Sequence, residues 1–302
     1  MSNKKIIITG ASGLLGRYAT LFFNNLNFET VLFSNSYKII NPNLHAYSFN
    51  LMDINTLEKI IANEKPDYIL HTAGITDIEK CEHDEAKAFS VNVDVVKNIC
   101  DLCIKYRIFL VYISTDHLYQ GNEDIYTELS SKCPINIYAK TKSMAEDYLI
   151  KSFSNYLIIR TNFFGWGSSK RKSFTDYIID SLRLNSKISL FDDVFFTPIL
   201  IDKLLLYISI LLEKNASGIF NISSSNKISK YAFGMQLCDI FSLDKSLINK
   251  SSIKDNNNLV QRPLNMSLSN EKLINFLDIK LPNLEEQFKL LKCTENKFKE
   301  AR

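Results

Sequence analysis

The chain of 302 residues is poor in the residues that define several protein classes. It has six cysteines with no framework spacing, so a disulfide-stapled secreted fold is not expected. Cys100 and Cys103 sit in a stretch of helical periodicity without a partner pair, which favours buried reduced thiols over a zinc or redox site, and no metal is expected. Long apolar runs are missing too. The longest, near Leu204–Leu212, is less than half of the ~20 residues that a helix needs to span a bilayer. The stretch Met1–Lys5 before Ile6–Ile8 is too short for a signal-peptide core, so the expected compartment is the cytoplasm, with no membrane partner. Charge of one sign is also scarce. With 36 Lys+Arg against 33 Asp+Glu the net charge is +3, too small to argue for nucleic acid. What remains, 46% hydrophobic and 23% charged residues, is the make-up of a globular protein.

Glycine is scarce, with nine in all, yet Gly10, Gly13 and Gly16 fall within seven residues. Ile6–Ile8 before them read as a strand buried on both faces, and Leu14, Leu15, Tyr18, Leu21 and Phe22 after them recur at helical spacing. Strand, glycine turn and helix together let backbone N–H groups and a helix N-terminus approach a pyrophosphate. A plain tight turn is the alternative for this motif alone. Strand-like runs recur at 30–33, 45–49, 68–71, 109–114 and 156–160, with helical patterns at 56–64, 86–106 and 137–152 between most of them. The alternation predicts an α/β, Rossmann-type doubly wound parallel sheet with ligands at the carboxyl ends of its strands. Residues 254–258 read as a surface loop and the charged tail after Lys292 as a solvated helix end.

The end of the second strand bears on the cofactor. No carboxylate follows Phe33; Ser34, Asn35, Ser36, Tyr37 and Lys38 stand where an NAD-selective acid would be, and these groups with Arg17 suit a 2′-phosphate. The expectation is NADPH, with NADH as the alternative. The chemistry lies further along. Ser114, Thr115 and Asp116 close the strand that begins at Phe109, and Tyr138 and Lys142 are four apart in a helical segment, on one face. A phenol titrates near ~10, and a neighbouring ammonium is expected to lower it toward the working range. Thr115 then hydrogen-bonds the same carbonyl oxygen that Tyr138 serves. An exposed tyrosine beside a solvated lysine is the bland alternative.

These segments resemble the extended short-chain dehydrogenase/reductase superfamily, and within it the dTDP-4-dehydrorhamnose reductase family. The resemblance is carried by Ile8–Arg17, Leu51–Ile54, Lys65–Tyr68, His71–Thr76, Val91–Asn92, Ile113–Asp116, Pro134–Lys142, Arg160–Gly165, Phe196–Pro198 and Gln261–Pro263. It implies that Gly10, Ser12, Gly13, Leu14 and Leu15 wrap the pyrophosphate, with Ser34 at the adenosine ribose. Asp53 would accept from the adenine amino group with Met52 beside the ring, Ala73 and Gly74 would line the cofactor ribose, and Ser114 would also bind the cofactor. Tyr138 would be the acid, Lys142 its tuner and a ribose ligand, and Thr115 the orienting hydroxyl. Thr76, Asp116, His117, Asn162 and Arg262 would meet the substrate, Arg262 at its diphosphate. Asp53 as a helix N-cap, Asn162 as a loop-backbone partner and Arg262 in a surface ion pair are the alternatives.

The resemblance further implies a discontinuous organisation. Residues 1–161 and 190–221 would form the dinucleotide-binding domain, and 162–189 and 222–302 a smaller, mostly C-terminal substrate lobe. Trp166, Phe163, Phe164 and Phe174 would line a pocket there or lie in its core. The implied function is NAD(P)H-dependent reduction of the 4-keto group of a nucleotide-activated deoxysugar, for cell-surface polysaccharide precursors. A nucleotide sugar would be the partner, and a second copy of the chain would complete a homodimer. Two departures stand out. His117 follows Asp116 where rhamnose reductases usually carry Tyr and the related dehydratases Glu, which argues against dehydration and leaves an epimerase with bound NAD open. His71 stands where Asn or a small residue is usual and reads as a satisfied structural histidine. A non-catalytic NADP-binding regulatory subunit, like the methionine adenosyltransferase β subunit, looks similar and is the alternative from another class.

Overall fold

The computed structural model describes residues 4–35, 39, 44–168, 171–256 and 258–296. The elements in chain order begin with β1 (Lys5–Thr9), α1 (Leu14–Asn25), β2 (Glu29–Ser34), β3 (His45–Ser48), α2 (Ile54–Glu64) and β4 (Tyr68–His71). They continue with α3 (Ile78–His83), α4 (Glu85–Phe89), α5 (Val95–Tyr106), β5 (Phe109–Ile113), α6 (Ile137–Ser152) and β6 (Tyr156–Arg160). Beyond these lie β7 (Phe163–Phe164), α7 (Phe174–Arg183), β8 (Ile188–Phe191), β9 (Phe195–Phe196), β10 (Ile199–Leu200), α8 (Ile201–Glu213) and β11 (Gly218–Asn221). The last are β12 (Ile228–Ser229), α9 (Lys230–Phe241), β13 (Ile248–Ser251), α10 (Glu271–Leu277) and α11 (Leu284–Cys293).

Seven strands form one sheet in the order β11-β6-β5-β4-β1-β2-β3. The pairs β1–β2, β2–β3, β1–β4, β4–β5 and β5–β6 are all parallel. Ile6, Ile7 and Ile8 are fully buried, as three β-branched residues covered on both faces should be. The doubly wound α/β fold expected from the alternation is therefore present. Strand order reverses at β1, with β2 and β3 on one side and β4 to β6 on the other, and that switch point opens a crevice at the carboxyl ends. At the opposite ends of the strands, Lys5 Nζ lies 2.7 Å from Glu29 and 3.1 Å from Glu64, filling the space among Glu29, His45 and Glu64 with an ammonium.

The helix expected over 86–106 is not continuous. A π-helical turn at Ser90–Asp94 separates α4 from α5. Inside it Asn92 accepts from Ile75 N–H at 2.8 Å and donates to Ile75 O at 2.9 Å and Thr141 Oγ1 at 3.1 Å. Hydrophobic periodicity is blind to a one-residue bulge that a side-chain amide holds in place, and such bulges recur at functional sites.

The chain divides into two compact units. The first comprises 1–118, 134–160 and 211–220 and holds the sheet; the second comprises 119–133, 161–210 and 221–302. The division expected from the resemblance differs in placing 119–133 and 190–210 with the sheet. Tyr126 explains the first difference: its N–H bonds Ser267 O and its carbonyl accepts from Ser269 N–H, so that loop is laced into the C-terminal segment. Backbone bonds from Phe195 to Leu264 and from Met266 to Phe195 do the same for part of 190–210. The core of the second unit is aromatic. Phe233 contacts Phe164, Phe174, Phe196 and Phe288 with centroids 5.0–5.7 Å apart, and Trp166 is fully buried with its indole N–H on Leu291 O at 2.9 Å. Trp166 is a core residue, which excludes the pocket role considered for it. Among the described residues no helix is long and apolar enough to cross a membrane.

Candidate active site

The glycine turn lies at the carboxyl end of β1. Gly10 has φ +66, a left-handed conformation that other L-residues adopt at a cost. A Cβ on Gly16 would fall 2.3 Å from Gly10 O and 2.7 Å from Ala11 Cα, so helix α1 packs on the turn only because that position is bare. Gly13 is the N-cap of α1 and supplies no side-chain oxygen, and the first turn carries no acid. The N-terminal N–H groups and the positive end of a 12-residue helix are thus suited to an anion. Ser12, Gly13 and Leu14 are half-buried at this turn, while Leu15 is buried. The cradle fits a dinucleotide pyrophosphate.

Other expected cofactor residues are less uniform. Ser34 ends β2 with its hydroxyl buried and, among the described residues, without a hydrogen-bond partner. Ser36, Tyr37 and Lys38 lie outside the described residues, and Arg17 is half-buried. Asp53 is the N-cap of α2: its oxygens take Thr56 N–H at 3.1 Å and Thr56 Oγ1–H at 2.6 Å, which holds its carboxyl below the usual range. Met52 beside it is exposed. Ala73 and Gly74 form the turn after β4, and a Cβ on Gly74 would meet Asn92 Oδ1 at 3.0 Å. Thr76 is exposed at the end of that turn.

Thr115, Asp116, His117, Tyr138 and Lys142 come together in the first unit. Ser114 N–H is fixed on Ile159 O at 2.7 Å, and Ser114 Oγ is buried without a partner. Thr115 Oγ1 lies 3.3 Å from Asp116 Oδ1 and accepts His117 N–H at 3.2 Å. The His117 ring stands edge-on to Tyr138, centroids 5.8 Å apart at 76°, with Nε2 3.9 Å from Asp116 Oδ1. Asn136 caps α6, its side chain taking Ala139 N–H at 2.9 Å, so the helix starts where Tyr138 and Lys142 share a buried face. Glu146 extends that face by one more turn and pairs with Arg160, Nη2 to Oε2 at 2.7 Å, both side chains almost wholly buried.

Lys142 Nζ donates to Ile113 O at 2.7 Å and lies 4.1 Å from the Tyr112 ring centroid. Burial draws its pKa down to about 7 against the opposing pull of Glu146. Burial likewise pushes the Tyr138 phenol above its ordinary value, opposed by the Thr115 hydrogen bond and reinforced by Asp116 and Cys81. This corrects the expected lowering. Lys142 Nζ is turned to the Ile113 carbonyl, and desolvation of the phenolate dominates. The phenol is consequently held protonated.

Asn162 and Arg262 belong to the second unit. The carbonyl of Asn162 takes Ile199 N–H at 2.9 Å, and Arg262 is half-buried with Nε on Val260 O at 3.3 Å. Asn92 is the residue whose positioning role the sequence did not announce: it ties the Gly74–Ile75 turn to Thr141, between Tyr138 and Lys142. Its only signal was membership of a matched dipeptide.

The sequence profile of the RmlD substrate binding domain matches residues 4–294. The chain belongs to the RmlD substrate binding domain family, within the extended short-chain dehydrogenase/reductases. Its relatives within and around the RmlD family carry different names. It is 24% identical over 292 residues to a probable low-salt glycan biosynthesis reductase of Haloferax volcanii, covering 95% of this chain and 96% of that one. It is 26% identical to methionine adenosyltransferase 2 subunit beta of Pongo abelii over 90% of this chain and 82% of the relative. A dTDP-4-dehydrorhamnose reductase of Bacillus anthracis strain Ames, solved in complex with NADP, has the same fold (TM-score 0.85, 21% identity, 96% and 99% covered). A hypothetical dTDP-4-dehydrorhamnose reductase of Sulfolobus tokodaii gives TM-score 0.83 at 27% identity over 93% and 97%.

Proposed function

We propose that this protein is a cytoplasmic NADPH-dependent reductase of the 4-keto group of a nucleotide-activated deoxysugar, of the dTDP-4-dehydrorhamnose reductase kind, serving cell-surface polysaccharide precursors. The reading is carried by one observation: Thr115, Tyr138 and Lys142 gather at the end of β5 in the same sheet whose switch-point strand β1 ends in the anion-binding turn. Gly10, Ser12, Gly13, Leu14 and Leu15 would hold the pyrophosphate, Ser34 the adenosine end, Asp53 and Met52 the adenine, and Ala73, Gly74, Ser114 and Lys142 the nicotinamide ribose. The dinucleotide supplies a hydride for the keto carbon.

The chain's own residues supply the rest. Tyr138 gives its phenolic proton to the substrate oxygen as that oxygen gains negative charge; burial keeps the phenol protonated at neutral pH, and the basic alkoxide draws the proton from it. Thr115 orients the same oxygen with a second hydrogen bond. Lys142 steadies the phenolate left behind. Asp116, His117 and Thr76 would face the sugar, and Asn162 and Arg262 its phosphates.

The test is loss of NADPH absorbance on adding dTDP-4-dehydro-6-deoxysugars to the purified chain. Tyr138→Phe should lower kcat by about 10²–10⁴-fold with the NADPH dissociation constant nearly unchanged. Equal turnover by the variant would remove Tyr138 as the acid. The second reading, a cofactor-binding regulatory subunit, is favoured by the similarity to the methionine adenosyltransferase β subunit. Tight NADPH binding, no turnover on any keto-sugar nucleotide and a stable complex with a methionine adenosyltransferase would decide for it.

A further inference from the structure

His71 plays no part in that mechanism, yet it is built into the floor beneath it. The inference rests on the dinucleotide-binding reading above. Thr9 ends β1, His71 ends β4, and the two are register partners, each 1% exposed. Thr9 Oγ1 lies 2.8 Å from His71 Nδ1. The same oxygen accepts the N–H groups of Thr72 at 3.2 Å and Ala73 at 3.3 Å. A hydroxyl that already accepts two N–H groups has only its own proton left to give. Thr9 is therefore the donor to Nδ1, and the imidazole is the neutral tautomer with its proton on Nε2. Burial and the neighbouring Lys142 hold its pKa down to about 3, so it remains neutral throughout the working range.

The Thr9 hydroxyl joins two turns. Thr72 returns a bond from its own hydroxyl to Thr9 O at 2.6 Å, and a Cβ on Gly10 would lie 2.8 Å from Ala73 N and Cα. The glycine turn and the Thr72–Gly74 turn thus sit at a spacing with no slack, and that spacing is where a dinucleotide would pass. His71 also stacks on Tyr112, centroids 6.0 Å apart at 16°. Its Nε2 is buried with no partner, which corrects the expectation of a fully satisfied histidine.

We propose that His71 is a positioning residue for cofactor binding: its Nδ1 aims the Thr9 hydroxyl that fixes the separation of the two turns flanking the dinucleotide. The experiment measures the NADPH dissociation constant by fluorescence titration, kcat at saturating NADPH, and the melting temperature of the full chain. His71→Phe, which keeps the ring but not the acceptor, should weaken NADPH binding about tenfold with kcat at saturation within about twofold. Thr9→Val, which also removes the acceptor of the Thr72 and Ala73 N–H groups, should weaken it at least as much. The double variant should bind no worse than the weaker single one, because the bond between His71 and Thr9 is already absent in either. His71→Asn, whose Oδ1 stands where Nδ1 does, should stay within about threefold of the parent. Unchanged NADPH affinity in His71→Phe, additive losses in the double variant, or failure of His71→Asn to rescue would overturn the proposal. If His71→Phe does not fold, His71→Asn against His71→Leu decides it: affinity kept by Asn and lost by Leu supports the acceptor, and equal affinities refute it. A parent chain that binds no NADPH refutes the underlying reading instead, whereas a binding parent with unaffected variants refutes only the role of His71.

Discussion

Replacing Glu146 by Gln tests how the site is supported. The Glu146 carboxylate accepts from Arg160 Nε at 3.1 and 3.3 Å and from Nη2 at 2.7 Å, in a place where the two side chains keep 0% and 2% of their surface. The amide conserves shape and removes the charge, which leaves a guanidinium buried without its counter-ion. Breaking a buried pair from one side costs about 3–5 kcal/mol, whereas replacing both partners by apolar residues of similar volume is close to neutral. With an unfolding entropy of about 2.1 cal/mol/K per residue, that cost lowers the melting temperature of a chain this long by about 5–8 °C. Calorimetry should show this drop for Glu146→Gln and a much smaller one for the double change Glu146→Leu with Arg160→Met. The same substitution removes the carboxylate that favours a charged Lys142. The pH midpoint assigned to that lysine should therefore move down as well. If Glu146→Gln melts within about 1 °C of the parent, the pair does not support α6 on β6 as argued.

Three further outcomes follow from the geometry. Lys142, with its pKa near 7, carries its charge below that value, so kcat for keto-sugar reduction should fall as pH rises through about 7, and the step should vanish in Lys142→Met. In the unfolded chain this lysine binds its proton up to its ordinary pKa of 10.5, so its contribution to stability rises with pH between about 7 and 10.5, and denaturant titrations across that window should show it for the parent but not for Lys142→Met. Gly16→Ala forces a methyl to 2.3 Å from Gly10 O; it should cost about 1–3 kcal/mol and raise the KM for NADPH, and unchanged values of both would mean the turn is softer than described. Thr115→Val removes the hydroxyl that bonds Tyr138 and should lower kcat by about tenfold at unchanged NADPH affinity.

Local pattern was enough for the sheet and for the cofactor turn. Ile6–Ile8, the three glycines and the helical stripe after them specify strand, turn and helix through interactions within twenty residues, and Asn136 with the apolar spacing after it sets α6. Tyr138 and Lys142 were legible as a pair because four residues are one helical turn. Other features depended on partners far along the chain. The π-turn at Ser90–Asp94 exists because Asn92 reaches Ile75 and Thr141, and loop 119–133 joins the second unit because Tyr126 is bonded to Ser267 and Ser269. Asp53 serves as a helix cap, a use its side chain shares with adenine recognition, so residue type did not separate the two.

Sequence alone determined the α/β class, the turn at β1 and the shared face of Tyr138 and Lys142, because each follows from periodicity or from spacing inside one element. Tertiary structure alone decided their electrostatics. Burial, which depends on what packs from distant segments, kept protonated a phenol expected to be acidified, brought Lys142 to the edge of neutrality, and joined Thr9 to His71 by a hydrogen bond. The energy of a charge depends on its surroundings in space, and those are fixed only once the chain has closed around it.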